Sequence, residues 1–478
     1  MLSKERIKSI ILVLLIVNCL QLAGQIWFNK KLWPTGYNFF ALNFSYLNNV
    51  FSKLPFDRFS TTINSTVKPQ QIVINGGNAR EVYYPGQKQY VDTYKTVSDA
   101  CIAFLKHEDL RGNVISIDEW KSMLKGKSIY LNYGYSMDFE VFASSFTESS
   151  SVFSNTGAVS AVAISGDNVT NETIICLYDK TSATVTKHLI GGNGERLLKY
   201  IESVTFGKSH NKSFSFELFW DLEQENAPVK RNILIDSFVL LPMESENTNI
   251  ITAENPLENE GIVFDRIVNA LGYTPSSLRK SISVENITSY VENSATIKID
   301  PIGIIEYNAV DAQNGIPFQN GKDGIYNIIT KVLEIAERVY HDVGIVYMPE
   351  LFVSSDLITQ KSGNLEITMN YSFNAKPIIL YHNNSQKPFD AISAQVEDGY
   401  LKSFKMFLRT FDIGEEKITL IPAIRAIDLL AKHFDKKTQV VVEDVFKCYC
   451  VNQDDTTIAW GIKTDDVQDG LIIIDANN

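Results

Sequence analysis

ATIKIDPIGIIEYNA, Ala295–Ala309, places two short apolar-rich runs on either side of a turn ending in Gly303, the signature of a pair of antiparallel strands. AISAQVEDGYLKSFKMF, Ala391–Phe407, repeats that pattern with its glycine turn, at Gly399, one residue tighter. A helical stretch follows each pair. At an offset of about 95 residues, Ile325, Ile328, Ile329, Val332, Ile335, Ala336 and Val339 match Leu420, Ala423, Ile424, Ile427, Leu430, Ala431 and Phe434. Any two amphipathic helices match at some offset, so the order of elements carries the argument. LFVSSDLI, NLEITMNYSF and PIILYH follow the first helix, and QVVVEDVFKCYCV, TIAWGIK and LIIID follow the second. Both halves read β-β-α-β-β-β, a sheet with one helix across a face. This duplication predicts a central domain over 258–383 and a C-terminal domain over 388–478.

Upstream, the segment from Met243 to Gly261 loses periodicity and gains acids and amides, the composition of a boundary. The sequence before it, 31–250, reads as an N-terminal α+β domain. QIVING (Gln71–Gly76) and AREVYY (Ala79–Tyr84) form a hairpin around Gly76 and Gly77. Tyr90–Leu105 has helical spacing, and Asp118–Leu124 is a shorter helix capped by Ser116 or Asp118. SIYLNYG, DFEVFASSF, AVSAVAI, TIICLYD, FSFELFW and NILIDSFVLL all have strand composition, with a helix over Glu195–Ser203 among them. The aromatic-rich stretch Lys31–Phe59 either lies on a membrane surface or packs into this first domain.

At the N-terminus, IILVLLIVNCLQLAGQIWF, Ile10–Phe28, carries no formal charge. As a helix it covers about 28 Å, close to the ~30 Å hydrocarbon core of a bilayer. Lys4, Arg6 and Lys8 precede it, and Trp27, Phe28, Lys30 and Lys31 close it, so the expectation over 1–30 is a cytoplasmic tip followed by one transmembrane helix, with the N-terminus in the cytoplasm. Cleavage by a signal peptidase would put Leu22 or Gln21 where a small residue is needed, and Asn18 before Cys19 does not suit lipidation. The fold class is therefore α+β: a single anchor followed by a multi-domain extracytoplasmic region. Asn18, Gln21 and Gln25 fall within a ~60° stripe of the anchor. Amides in lipid seek a partner helix, which makes these three the candidate partner-binding residues; the alternative is that Gln21 and Gln25 snorkel to the interface and leave only Asn18 deep.

The chain of 478 residues is 45% hydrophobic, enough for several packed domains, and its net charge of -12 opposes nucleic acid or an anionic lipid surface as partner. Six scattered histidines give no His-Glu-x-x-His pair, and His341 and His433, at matching helix ends, suit helix C-termini. Cys448 and Cys450 share a strand face, where they could bind a soft metal, pair with each other in a strained disulfide, or be buried free thiols, the reading taken here. Ser65/Lys68, Ser122/Lys125 and Ser277/Lys280 have the Ser-x-x-Lys spacing of penicillin-binding acyltransferases, but the companion Lys-Thr-Gly is missing. GGNG, Gly191–Gly194, lacks the full phosphate-loop pattern and reads as a tight turn before a helix. No catalytic residue, cofactor or metal is expected.

KERIKSIILVLLIVNCLQLAGQIW, Lys4–Trp27, resembles the opening of the YycH (WalH) family, and ATIKIDPIGIIEY resembles that family's strand pair. AQVEDGYLKSF, LIPAIRAIDLL, IAWGIKTDD and IIIDAN are similar to the related YycI family. The resemblance implies a non-enzymatic, membrane-anchored accessory of the WalK/WalR (YycG/YycF) two-component system. Such a protein associates with a YycI-like partner and modulates the WalK sensor histidine kinase, which controls cell-wall homeostasis, partly through transmembrane contacts. Two other classes compete: an extracytoplasmic binding module for peptides or cell-wall fragments, and a serine acyltransferase.

Overall fold

The structure is a computed structural model that describes residues 67–475 apart from 78, 107–111, 148–156, 207–211, 219–232, 243–246, 259–263, 319–323, 359–363, 382–386, 433, 435–438, 453–454 and 466–469. The candidate anchor Ile10–Phe28, with Asn18, Gln21 and Gln25, lies outside the described residues, as does Lys31–Phe59. Among the described residues no helix is long and apolar enough to cross a membrane.

The first part of the chain runs β1 (Gln71–Gly76), β2 (Arg80–Tyr83), α1 (Lys88–Leu105), β3 (Asn113–Ile115), α2 (Ile117–Lys125), β4 (Lys127–Asp138), α3 (Phe139–Ser144), β5 (Ala158–Gly166), β6 (Thr173–Asp179), β7 (Thr184–Ile190) and α4 (Gly194–Ser203). Its strands form an antiparallel sheet in the order β2-β1-β4-β5-β6-β7-β3. Strand alternation sends Ile72, Ile74, Ile129 and Leu131 to one face, against Val97 and Cys101 of α1 and Leu197 and Ile201 of α4. Val73, Tyr130 and Ala163 point to the other, against Trp120 and Leu124 of α2. Ser116 caps α2 by accepting the Glu119 N–H at 3.2 Å. GGNG is the expected turn: α4 begins at Gly194, and a Cβ there would lie 2.2 Å from the Glu172 carbonyl oxygen.

Next come β8 (Lys212–Phe214), β9 (Ile233–Ile235), β10 (Leu240–Pro242), β11 (Asn247–Glu254), α5 (Phe264–Ala270), β12 (Arg279–Ile282), β13 (Thr288–Val291), β14 (Ala295–Asp300), β15 (Ile304–Ala309), β16 (Ile316–Pro317), α6 (Ile325–Asp342), β17 (Glu350–Val353), β18 (Asn364–Phe373) and β19 (Lys376–Tyr381). The last are β20 (Ile392–Glu397), β21 (Tyr400–Phe407), β22 (Thr410–Thr419), α7 (Ala423–Leu430), β23 (Val440–Asn452), β24 (Asp455–Thr464) and β25 (Leu471–Asp475). The repeated element order is present, with an extra strand before each helix, β16 or β22. The two halves do not build separate sheets, however. One continuous sheet runs β12-β13-β14-β15-β21-β20-β18-β19-β23-β24-β25. The hairpin β20/β21 of the second copy completes the sheet under α6, while β19 of the first copy runs parallel to β23 in the sheet under α7.

Several segments differ from their sequence reading. DFEVFASSF, expected as a strand, forms α3, whose Phe139, Val141, Phe142 and Ala143 are buried while Glu140 between them is exposed; over so short a run a nearly buried helix gives the same apolar-polar-apolar start as a strand. The described part of FSFELFW forms the end of β8 and a short 3-10 turn over Ser215–Glu217, because the Glu217 carboxylate turns back to accept the Phe214 N–H at 3.0 Å and pairs with buried Arg80 at 2.6 Å. NILIDSFVLL is two strands split at Asp236, whose side chain accepts the Phe238 N–H at 2.9 Å. The aperiodic segment after Met243 contains β11, which pairs antiparallel with the unexpected β22. The second helix has only 8 residues and starts after Pro422, so Leu420, Ala431 and Phe434 lie outside it.

The two glycine turns differ as expected. Glu397 pairs with Tyr400 across the two residues Asp398 (φ 52°) and Gly399 (φ 81°), whereas Asp300 pairs with Ile304 across three. Gly303 has φ 103°, and a Cβ there would lie 2.3 Å from Arg409 Nη1 and 2.9 Å from the Leu408 carbonyl oxygen. Gly303→Ala should therefore cost about 3 kcal/mol, since it adds a clash with buried groups to backbone strain, whereas Gly399→Ala should cost about 1 kcal/mol. Denaturant melts of the two variants check this; equal losses would refute the role given to Arg409.

Candidate functional site

The strands β18 and β19 form a hairpin that separates almost at once. Only Ser372/Pro377 and Phe373/Lys376 pair; β18 then stays between β17 and β20 while β19 leaves for β23. At the tip, Asn374 (φ 48°) and Ala375 (φ 64°) both have left-handed backbone, as a two-residue primed turn requires. Alanine in the second place carries strain of about 1 kcal/mol that glycine would not. Residues 387–390 cross the fork: the Phe389 N–H donates to the Leu380 carbonyl at 2.8 Å, and the Ala391 N–H donates to Asn370 Oδ1 at 3.4 Å.

The fork opens a cleft of about 410 Å³, within the range of small-molecule sites. One wall is the β17/β18 side with Phe352, Ser354, Thr368 and Asn370. The Ser354 hydroxyl lies 2.8 Å from Thr368 Oγ1 and donates to Asp390 at 3.4 Å. Facing it are Gln70 and Gln71 at the start of β1, Tyr84 just past β2 and Gln87 just before α1, with Lys212 of β8. Gln70 Nε2 donates to the Val353 carbonyl at 3.2 Å and so ties the two walls together, while Lys212 donates to the Tyr84 hydroxyl. The third side is β23/β24. Phe446 lies over Gly461, where a Cβ would meet the ring at 2.6 Å, and Asp444 stands in register with Lys463. Lys447 is held 5.6 Å from the centre of the Trp460 ring, whose Nε1 donates to the Ile421 carbonyl at 2.9 Å.

The electrostatics of this lining are mixed in sign. Lys212, Lys376, Lys447 and Lys463 stand against Asp390 and Asp444. Half-buried Asp444 is pushed above the usual carboxylate range by loss of water, opposed by Lys463, Lys180, Lys212 and the Val445 N–H. Nearby, burial pushes Glu350 up and Lys68 down even though each favours the charge of the other, so desolvation outweighs their attraction.

The residues singled out from sequence fall elsewhere. Asn18, Gln21 and Gln25 lie outside the described residues, as do Ser65 and His433. Ser122 and Ser277 are exposed, and their hydroxyls donate to the Asp118 and Thr274 carbonyls at 2.8 and 2.7 Å. Lys280 pairs with Asp265 at 3.2 Å. Cys448 is a buried free thiol and Cys450 a half-buried one, both on β23; among the described residues no cluster of metal-binding side chains occurs. His341 sits exposed in the last turn of α6, 3.5 Å from Asp342. The cleft itself is assembled from many separate stretches of chain between Gln70 and Leu471 and has no linear motif; the local clue is Asn-Ala-Lys at 374–376, a hairpin turn lacking its usual glycine.

Neither a family model nor a curated protein matches the sequence. The crystal structure of YycH from Bacillus subtilis matches with a TM-score of 0.56 over 87% of this chain and 98% of that one, at 14% identity. The fold is that of YycH. The likeness spans nearly all of the YycH chain, so the YycH fold accommodates both the shared sheet and the first α+β part. At this identity it establishes architecture, and the cleft side chains have to be judged on their own chemistry.

Because the folded-state pKa of Asp444 is raised, its ionisation costs stability. The contribution is fully favourable below pH 3.8, its ordinary value, and is lost as pH rises through the folded-state value. Asp444→Asn should therefore melt higher than the parent at pH 7, by on the order of 1 °C, and at the same temperature once both are acidified below that range. Thermal melts across pH test this; a lower melting temperature for the variant at pH 7 would show that the lysines win.

Proposed function

We propose that this chain is an accessory regulator of a sensor histidine kinase of the WalK/YycG type, held in the membrane by Ile10–Phe28 with its N-terminus cytoplasmic and the rest outside. The observation that carries the reading is the YycH fold over 87% of the chain, joined to an uncharged N-terminal stretch of bilayer length that resembles the opening of the same family. In this reading a YycI-like protein is a second partner, and the chain carries no catalytic machinery. Control of cell-wall homeostasis is then a property of the kinase pathway that the chain modulates. The stripe Asn18, Gln21 and Gln25 is the contact with the kinase helix, since three amides in lipid are best satisfied by another helix, each bond contributing about 1 kcal/mol.

The second reading, an extracytoplasmic binding module for a peptide or cell-wall fragment, is favoured by the fork cleft and is compatible with the first, because a regulator can carry a ligand site. The test of the first reading is to replace Asn18, Gln21 and Gln25 together with Leu in the full-length chain and measure co-purification with the kinase and phosphorylation of its response regulator. Three lost bonds, about 3 kcal/mol in all, should lower recovery of the complex by tenfold or more. Undiminished complex together with unchanged phosphorylation sinks the stripe as the contact.

A further inference from the structure

The larger sheet ends in two very different edges. At one, β12 is a short strand of exposed residues that include Arg279 and Lys280, and a short charged strand discourages further pairing. At the other, β25 reads Leu-Ile-Ile-Ile-Asp, Leu471–Asp475, and among the described residues it pairs only with β24. Its residues stay in unbroken register from Ala459/Asp475 to Lys463/Leu471, with no bulge to turn the edge aside. Both faces of the strand are packed. Ile472 and Ile474 belong to the cluster under α7, with Ile427 and Leu430, whereas Leu471 and Ile473 join Phe446 and Ile379 on the opposite face. A strand held from both faces, apolar and regular, with its only charge at its last residue, is a ready template for one more strand.

We propose that β25 pairs antiparallel with β25 of a second copy of this chain, across a two-fold axis at Ile473, and so joins two larger sheets edge to edge. Pleating restricts the axis: residues directly opposite must share a face, so it passes through a residue, and Ile473 is the residue that uses the whole strand. Ile473 then meets its own copy, Ile472 meets Ile474, and Leu471 meets Asp475. The charges fit the same register. Lys463 stands beside Leu471 on one face, so Asp475 of each copy arrives on the far side of that leucine from the Lys463 of the other. At ~4.8 Å per strand the two backbones are roughly 10 Å apart, a gap that a lysine and an aspartate side chain span together, and symmetry makes the exchange twice. Repulsion between two chains of net charge -12 is screened over about 8 Å at physiological salt, so the attraction at the edge decides. This goes beyond regulation of a kinase and uses nothing from Ile10–Phe28, so its failure leaves that reading standing.

The experiment uses the full-length protein in detergent, with Cys19→Ser so that the thiol of the N-terminal stretch cannot link chains. At about 50 μM, light scattering corrected for detergent should give the protein mass of two chains. Mild oxidation should link Ile473→Cys into a disulfide dimer at least about tenfold more than Ile282→Cys at the β12 edge, because the two copies of position 473 then face each other with Cβ atoms about 5 Å apart. Ile473→Lys sets two ammonium groups opposite each other and should weaken the dimer by roughly tenfold or more, whereas Ile282→Lys should leave it unchanged. The cysteine variants change the edge little, so they decide the matter even if Ile473→Lys fails to fold. A one-chain mass at that concentration, equal linking through Ile473→Cys and Ile282→Cys, or an undiminished dimer of folded Ile473→Lys overturns the proposal.

Discussion

Arg409 holds the larger sheet to its helix. Only 2% of its surface is exposed; Nη1 donates to the Ile302 and Leu408 carbonyls at 2.8 and 2.9 Å, and its guanidinium lies 4.5 Å from the centre of the Phe407 ring. The Arg409 carbonyl accepts the Tyr340 hydroxyl of α6 at 2.7 Å, and that hydroxyl meets Tyr371 of β18 at the same distance. Tyr371 in turn donates to the Phe407 carbonyl at 2.8 Å. One residue thus connects the turn of β14/β15, the helix, β18 and the end of β21. A buried guanidinium is costly unless its donors are used, so the groups that satisfy it are fixed in place by that cost. Gly303 is glycine because the arginine occupies the space where a side chain would begin.

Around that knot the two repeats exchange strands. The second copy lends β20 and β21 to the sheet under α6, and the first lends β19 to the sheet under α7. The fork follows from this exchange: a strand that must pair with its own hairpin at one end and with a distant sheet at the other has to leave its neighbour, and the wedge it leaves must be lined by something. Residues 387–390, Phe446 and the edge of the first sheet close three sides of it. A cleft made in this way is a by-product of topology, and the side chains within it decide whether it is used.

Much of the architecture was legible because the repeated units obey simple patterns. Ala295–Ala309 and Ala391–Phe407 carry their turns in their glycines, and the long helix carries its buried face in Ile329, Val332, Ala336 and Val339. The anchor residues were legible only as a candidate site, since they lie outside the described structure. β11 and β22 were not legible: the buried positions of β11 include Thr248 and Ala253 beside Ile251, and β22 buries only Phe411, so neither has an apolar period to find. Nor could strand exchange be read, because pairing between β15 and β21 depends on edges, and edges leave no mark in a one-dimensional pattern. The cleft was hidden for the same reason, being built from residues between Gln70 and Leu471.

The exchange of strands also sets the order in which the molecule can be completed. The first sheet pairs strands drawn from Gln71 to Ile190, so it can close while the rest of the chain is still being made. In the larger one, β15 and β18 have no mutual pairing and wait for β20 and β21 to enter between them, and β19 waits longer, for β23 at Val440–Asn452. Until then the open edge of β15 and that of β18 are templates for any strand that arrives first, including one from another molecule. Pairing at such sequence separation is slow. The strand order thus lets the N-terminal sheet close from local chain alone, whereas the larger sheet closes only once the β20/β21 hairpin has formed and inserted.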